Sequence, residues 1–344
     1  MMDAFGLVLM GGVLAALFIV PTTTTPRWAW EDIWGVGSLV ALILVPWPLA
    51  LMTVPDLAGV YRPAGFGPVA LAFLFGIGWG LGGIFWGQAI MMLGLGLGTS
   101  IMVGLVNVFG SPVPLAIKDP AKLTSAGGLV LLLAMVILIL GVVVCALAGK
   151  ARDAELAPRG GQAGGAAKRS FGVALIFCLL AGSLSAMNNF GPIFGQPIVQ
   201  AATSAGASDL GKMNAMWAPL FTANYLVNGG YALYLMVRRK TLPRLRTEGT
   251  PGYWLQALFM GLAWPMCLVV YGMGVSRLGR YGAYTAYPMF LGALILTGNA
   301  VGTLRGEWRG TRARTRALMI GGVLILGGAF LVLGKANQLL ASAG

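Results

Sequence analysis

The apolar residues of this chain do not alternate with polar ones; they run in long stretches, each closed by a short hydrophilic break. Crossing the hydrocarbon of a bilayer as a helix takes roughly 20 such residues. Stretches of that kind fall near residues 4–21, 33–54, 67–92, 95–117, 127–149, 171–192, 213–237, 253–276, 283–304 and 316–336. The pattern predicts an all-α integral membrane protein of ten transmembrane helices. The third stretch is long and rich in glycine, which predicts a tilt or kink there. The one sizeable hydrophilic segment, about 150–170, separates five spans in 1–149 from five more in 171–344. The first stretch, about Ala4 to Val20, reads as a span and not as a leader: no basic residue precedes it and no small-x-small site follows.

The two groups of spans share a repeat. A displacement of 185 residues lays the third span on the eighth without a gap: Gly76 falls on Gly261, Trp79 on Trp264, Gly87 on Gly272, Leu93 on Leu278 and Gly94 on Gly279, while Trp86 meets the aromatic Tyr271. Shared glycines alone could be chance between two glycine-rich helices. A shared tryptophan and a Leu-Gly pair at one constant offset are much harder to obtain that way. Five spans is an odd number, so the second group must lie upside down relative to the first. Inverted repeats of this kind are characteristic of secondary transporters, in which one half rocks against the other around a site at mid-membrane.

Composition narrows the picture further. Only 10% of the 344 residues are charged and 58% are apolar, against roughly 25% charged in a soluble domain. The 53 glycines are interleaved with the apolar runs, where small residues allow close helix packing. The net charge of +13 suggests no nucleic-acid partner, because the basic residues sit in short clusters between spans, facing lipid headgroups. Of the 23 Lys and Arg, 16 lie in the odd-numbered loops, which by the positive-inside rule puts those loops in the cytoplasm and both termini outside. Cys145, Cys178 and Cys267 lie within apolar spans without metal-ligand spacing and read as small buried hydrophobes.

The inventory of reactive groups is thin. There is no histidine, and none of the ten acids falls mid-span, which excludes a histidine-based or paired-carboxylate enzyme within the membrane and implies neither metal nor cofactor. Uncharged polar groups remain: Gln88 in the third span, Asn107 in the fourth, Asn224 and Asn228 one turn apart in the seventh, and Asn299 in the ninth. The sixth span carries Asn188, Asn189 and Gln196 in a stretch interrupted by Pro192 and Pro197. A broken helix frees backbone groups that can line a substrate site. Such amides also hydrogen-bond helix to helix, for about 1 kcal/mol, and for the isolated ones that is the plainer account. Trp79 and Trp264 offer flat rings on which the C–H face of a sugar can stack while amides bind its hydroxyls. Trp28, Trp30 and Trp34 cluster at a span boundary like interfacial residues. Glu31 and Asp32 open the second span, where an acid complements the helix dipole; the sharper reading makes Glu31 a proton site.

Three stretches resemble a known family: Trp28-Ala-Trp30-Glu31-Asp-Ile-Trp34-Gly-Val-Gly37 running on to Val45-Pro46-Trp47, Leu74-Phe-Gly76-Ile-Gly-Trp79-Gly-Leu-Gly82 continuing to Gly87 and Leu93-Gly94, and Gly306-Glu307-Trp308. By these the chain resembles the L-rhamnose–proton symporter family of the drug/metabolite transporter superfamily over nearly its whole length. The resemblance implies ten helices in two inverted five-helix halves, a bacterial inner membrane and uptake of a 6-deoxyhexose with a proton, and it puts Glu31 at a shared acidic position. The expected site pairs Trp79, Trp264 and Tyr271 with Gln88, Asn107, Asn188 and Asn189 for the sugar, held between Trp79 and Trp264, and Glu31 for the proton. A metabolite or drug exporter of the same superfamily is the alternative.

Overall fold

The structure, a computed structural model, describes residues 2–18, 21, 24–93, 95–156, 171–247 and 251–342, and among these it forms helices and turns with no strand. In chain order the helices are α1 (Met2–Leu17), α2 (Trp30–Leu39), a π-helical turn (Val40–Leu44) leading into α3 (Pro46–Thr53), α4 (Leu57–Ala64), α5 (Phe66–Leu93), α6 (Leu95–Gly110), α7 (Pro112–Lys118), α8 (Pro120–Leu123) and α9 (Ala126–Leu156). The second part of the chain gives α10 (Phe171–Ser185), α11 (Met187–Phe194), α12 (Gln196–Ser204), α13 (Asn214–Arg239), α14 (Arg244–Thr247), α15 (Pro251–Leu278), α16 (Gly282–Leu304) and α17 (Ala313–Ser342). The hydrophilic segment begins as helix, since α9 runs on to Leu156; residues 157–170 lie outside the described ones.

Among the described residues eight helical stretches are long and apolar enough to cross a membrane: Trp30–Thr53, Phe66–Leu93, Ile101–Lys118, Ala126–Leu156, Gly172–Ser204, Pro251–Leu278, Gly282–Leu304 and Ala313–Ser342. Two of the ten expected spans fall short of that measure for different reasons. The described part of α1 has 16 residues, about 24 Å at 1.5 Å per residue, against roughly 30 Å of hydrocarbon. Helix α13 has 26 residues and ample length, but it carries Asn214, Thr222, Asn224 and Asn228. Most of α13 is buried in protein, and a helix shielded from lipid can carry polar groups on a buried face. The sixth span is interrupted at Ala186 and at Gly195: the second break comes just before Pro197 as expected, whereas Pro192 is accommodated inside α11. Helix α5, by contrast, runs unbroken through its glycines. It and α15 each have 28 described residues.

The chain forms two compact units, each drawing on both sequence halves: Met1–Leu81 with Met187–Gly279, and Gly82–Ala186 with Arg280–Gly344. In the first, α1 lies along α15, and two glycines set backbone-close crossings. A methyl built at Gly76 of α5 would collide with the Leu220 carbonyl of α13, and one at Gly261 of α15 would collide with Val40 beside α2. In the second, α9 lies along α17, and Gly141 and Gly322 bring those two helices together in the same way. Small residues at such crossings replace the hydrophobic drive that a lipid solvent does not supply.

Prolines inside these helices leave carbonyls without their usual N–H four residues on. Two are taken up by hydroxyls from other helices. Pro219 frees the Ala215 carbonyl, which accepts from the Tyr61 hydroxyl at 2.8 Å, and Pro288 frees the Tyr284 carbonyl, which accepts from Ser111. An unsatisfied backbone group in lipid is costly, so each hydroxyl makes its proline tolerable.

Candidate functional site

The first unit holds a continuous row of aromatic rings. Trp217 stacks on Phe221 with centroids 5.4 Å apart, Phe221 meets Trp79 at 5.9 Å, and Trp79 meets Trp264 at 5.7 Å. Trp264 then touches Phe18 at 4.6 Å, Phe18 meets Trp34 at 6.4 Å, and Trp34 stacks on Trp30 at 5.3 Å. The two tryptophans linked by the sequence repeat are thus in contact. They form one aromatic surface and, in this conformation, not the two jaws expected to hold a sugar between them. Neither Trp217 nor Phe18 was marked by the sequence, since neither stands at a repeat position.

Both ends of the row reach polar groups. At one end Trp217 packs against Gly272, the neighbour of Tyr271, and the Tyr271 hydroxyl donates to Asn189 Oδ1 at 2.6 Å. Tyr271 and Asn189 are buried, as is Asn188, whose Oδ1 has no partner among the described residues. The Trp217 Nε1–H is likewise buried and unpartnered. Pro192 supplies no N–H for the Asn188 carbonyl, so the start of α11 gathers hydrogen-bonding capacity that its own helix does not use. A buried polar atom left in this state calls for a reason, and a hydroxylated ligand supplies one.

At the other end stand Glu31 and Asp32. The sequence treats them as a pair; the structure divides their work. Asp32 caps its own helix, its Oδ2 accepting the Ala29 N–H at 2.9 Å. Glu31, only 1% exposed, reaches across to Arg239 in the last turn of α13, with Nη1 3.0 Å from Oε2. Its other oxygen, Oε1, is buried without a partner. The guanidinium itself is 59% exposed. The pair ties the start of α2 to the last turn of α13. Trp28 departs from the expected interfacial placement: it is buried with Ile33, Ala257 and Met260, whereas Trp30 is exposed.

The second unit holds the other two expected residues. Asn107 is fully buried on α6; its Nδ2 donates to the Val103 carbonyl at 2.9 Å and its Oδ1 is unpartnered. Gln88 is half-buried on α5, beside the cluster of Ala89, Met102, Cys178 and Ala181. The remaining amides pair as helix-to-backbone or helix-internal joins: Asn228 donates to Asn224 Oδ1 at 2.8 Å, Asn299 to the Ile295 carbonyl at 3.0 Å and Gln196 to the Pro192 carbonyl at 2.7 Å.

Comparison with known proteins bears on what such a site serves. The sequence profile of the family described as L-rhamnose-proton symport protein (RhaT) matches residues 2–337. The chain is 26% identical over 339 residues to the L-rhamnose-proton symporter of Cronobacter sakazakii, covering 96% of each chain. It is 25% identical over 340 residues to that of Shigella sonnei, again covering 96% of each. With that of Yersinia pestis it shares 26% over 333 residues, 92% of this chain and 93% of the relative.

Proposed function

We propose, since the chain belongs to the L-rhamnose–proton symport family, that it takes up L-rhamnose or a related sugar together with a proton by alternating access. That family is one of transporters and not of enzymes, and the symporter names of the relatives give the exporter alternative no support. The observation that carries the reading is the aromatic row, which joins the repeat-related Trp79 and Trp264 and runs on to Trp34 and Trp30, on the helix that carries buried Glu31. The sugar's apolar face lies on Trp79 and Trp264. Tyr271, Asn188 and Asn189, with Trp217, bind hydroxyls; Gln88 and Asn107 are the further hydrogen-bonding candidates. Glu31 carries the proton; protonated, it no longer holds Arg239, and that change links proton binding to the packing of α2 against α13.

The ten-helix architecture belongs to this proposal. Residues 1–149 and 171–344 form the two inverted five-helix repeats, joined by the cytoplasmic segment 150–170. The crossed packing of Gly76 on α13 and Gly261 on the α2 span supports the repeat. Helices α1 and α13 complete the ten, with both termini periplasmic in a bacterial inner membrane, and the chain falls within the drug/metabolite transporter superfamily. The test is uptake of radiolabelled L-rhamnose into proteoliposomes. Accumulation driven by an inward proton gradient and abolished by an uncoupler is expected; uptake indifferent to the gradient would leave a facilitator, and no uptake would refute the sugar assignment.

A further inference from the structure

The outward side of α9 is written at helical spacing. Leu129, Leu133, Val136, Leu140, Val143 and Leu147 are all exposed, separated by four, three, four, three and four residues, and so lie along one face. Three residues past Leu147 the same face ends in Lys150, which is also exposed. Among the described residues Lys150 has no acidic partner; the acids at that end of the helix are engaged elsewhere, Asp153 by Arg152 and Glu155 by Arg312 and Thr315.

Beside this stripe a groove of about 410 Å³ opens between α9 and α6. Eight of its nine lining residues are apolar and the ninth is Lys150. Along α9 it extends from Ile139 to Lys150, roughly 16 Å at 1.5 Å per residue. Its floor is open at Gly104 of α6, where an added methyl would meet nothing nearer than Ile139 Cγ2 at 4.0 Å. A polyol finds no hydrogen-bonding groups along such a wall. A hydrocarbon chain does not need them, and a long apolar trough that ends in a lone cation at the limit of a membrane-spanning stretch complements a chain with an anionic head.

We propose that this groove binds one acyl chain of an anionic phospholipid, with Lys150 holding the lipid phosphate. Basic residues at the ends of membrane helices attract anionic headgroups, and a lysine at this level extends its ammonium to the interface while its methylenes stay on the apolar wall. A zwitterionic lipid brings its own cation to the same place, so selectivity between headgroups falls to Lys150 and retention of the chain to the groove. The inference needs only that α6 and α9 span the membrane and is independent of the transported substrate.

Native mass spectrometry of the full chain released from detergent tests it, with phosphatidylglycerol and phosphatidylcholine of identical acyl chains as the probes. The wild type should retain phosphatidylglycerol over phosphatidylcholine. Lys150→Gln should lower the phosphatidylglycerol adduct about fivefold, the effect of one basic residue near a headgroup, and leave phosphatidylcholine as it was. Gly104→Leu should lower both; if that variant is not monodisperse, Ala146→Leu fills the groove from the α9 side. Equal retention of the two lipids by the wild type, or an adduct that neither Lys150→Gln nor the groove-filling variant reduces, would overturn the assignment.

Discussion

The two compact units differ in how much buried polarity they leave open. In the second, Ser111 satisfies the carbonyl freed by Pro288 and Thr285 donates to Asn337 at 3.0 Å, while Thr99, Asn107 and Trp308 each keep one buried atom unmet among the described residues. In the first the unmet atoms are more numerous: those of Trp34 and Trp217 belong to the aromatic row itself, Glu31 and Asp32 share the helix of Trp30 and Trp34, and Asn188 adds another. Protein interiors ordinarily satisfy such groups, and the penalty rises as water is excluded. On the proposed reading the unmet atoms along that row are where ligand and proton are handled, and polar groups that close on one another hold the fold.

That contrast can be broken most decisively at Glu31. Glu31→Gln should abolish concentration of L-rhamnose against a gradient while leaving exchange of labelled for unlabelled sugar intact; loss of both would make Glu31 a structural residue. Next in size, Arg239→Gln leaves the Glu31 carboxyl without its counter-charge and should destabilise the protein by about 2 kcal/mol, read as a lowered Tm in detergent, with much of the loss recovered in the Glu31→Gln/Arg239→Gln pair. Trp79→Ala or Trp264→Ala should raise KM for the sugar roughly tenfold with the fold preserved, as expected for removal of one stacking ring, and Phe at either position should recover part of it. Smallest, Ser111→Ala should cost about 1 kcal/mol of stability and Asn228→Leu about 0.6 kcal/mol, each with KM unchanged in transport assays. A shift of KM in these last two would erase the distinction between polar groups that meet ligand and polar groups that hold the fold.

Much of the fold was legible because lipid imposes a coarse requirement: a span must be apolar and about 20 residues long. Apolar run lengths alone therefore located α5, α15 and α16 within about two residues and the starts of α9 and α17 within about three, while both of these helices run on past the apolar stretch. The run at 213–237 likewise located α13, although its polar residues keep it below the apolarity of the eight, as a helix packed in protein permits. Within the site, Asn224 and Asn228 were legible as a pair from their i, i+4 spacing. The partner of Glu31 was not, since Arg239 lies 208 residues away and only tertiary packing brings it near. Trp217 and Phe18 escaped for the same reason. The contact between Trp79 and Trp264 was half legible: the repeat identified the two rings, and only coordinates reveal that they touch.

The central claim is that sugar and proton move together through Glu31. External pH should be recorded over lightly buffered proteoliposomes as L-rhamnose is added with no imposed gradient. The account predicts alkalinisation of the medium with the wild-type protein and none with Glu31→Gln that still exchanges sugar. Alkalinisation of equal size in that variant would contradict it.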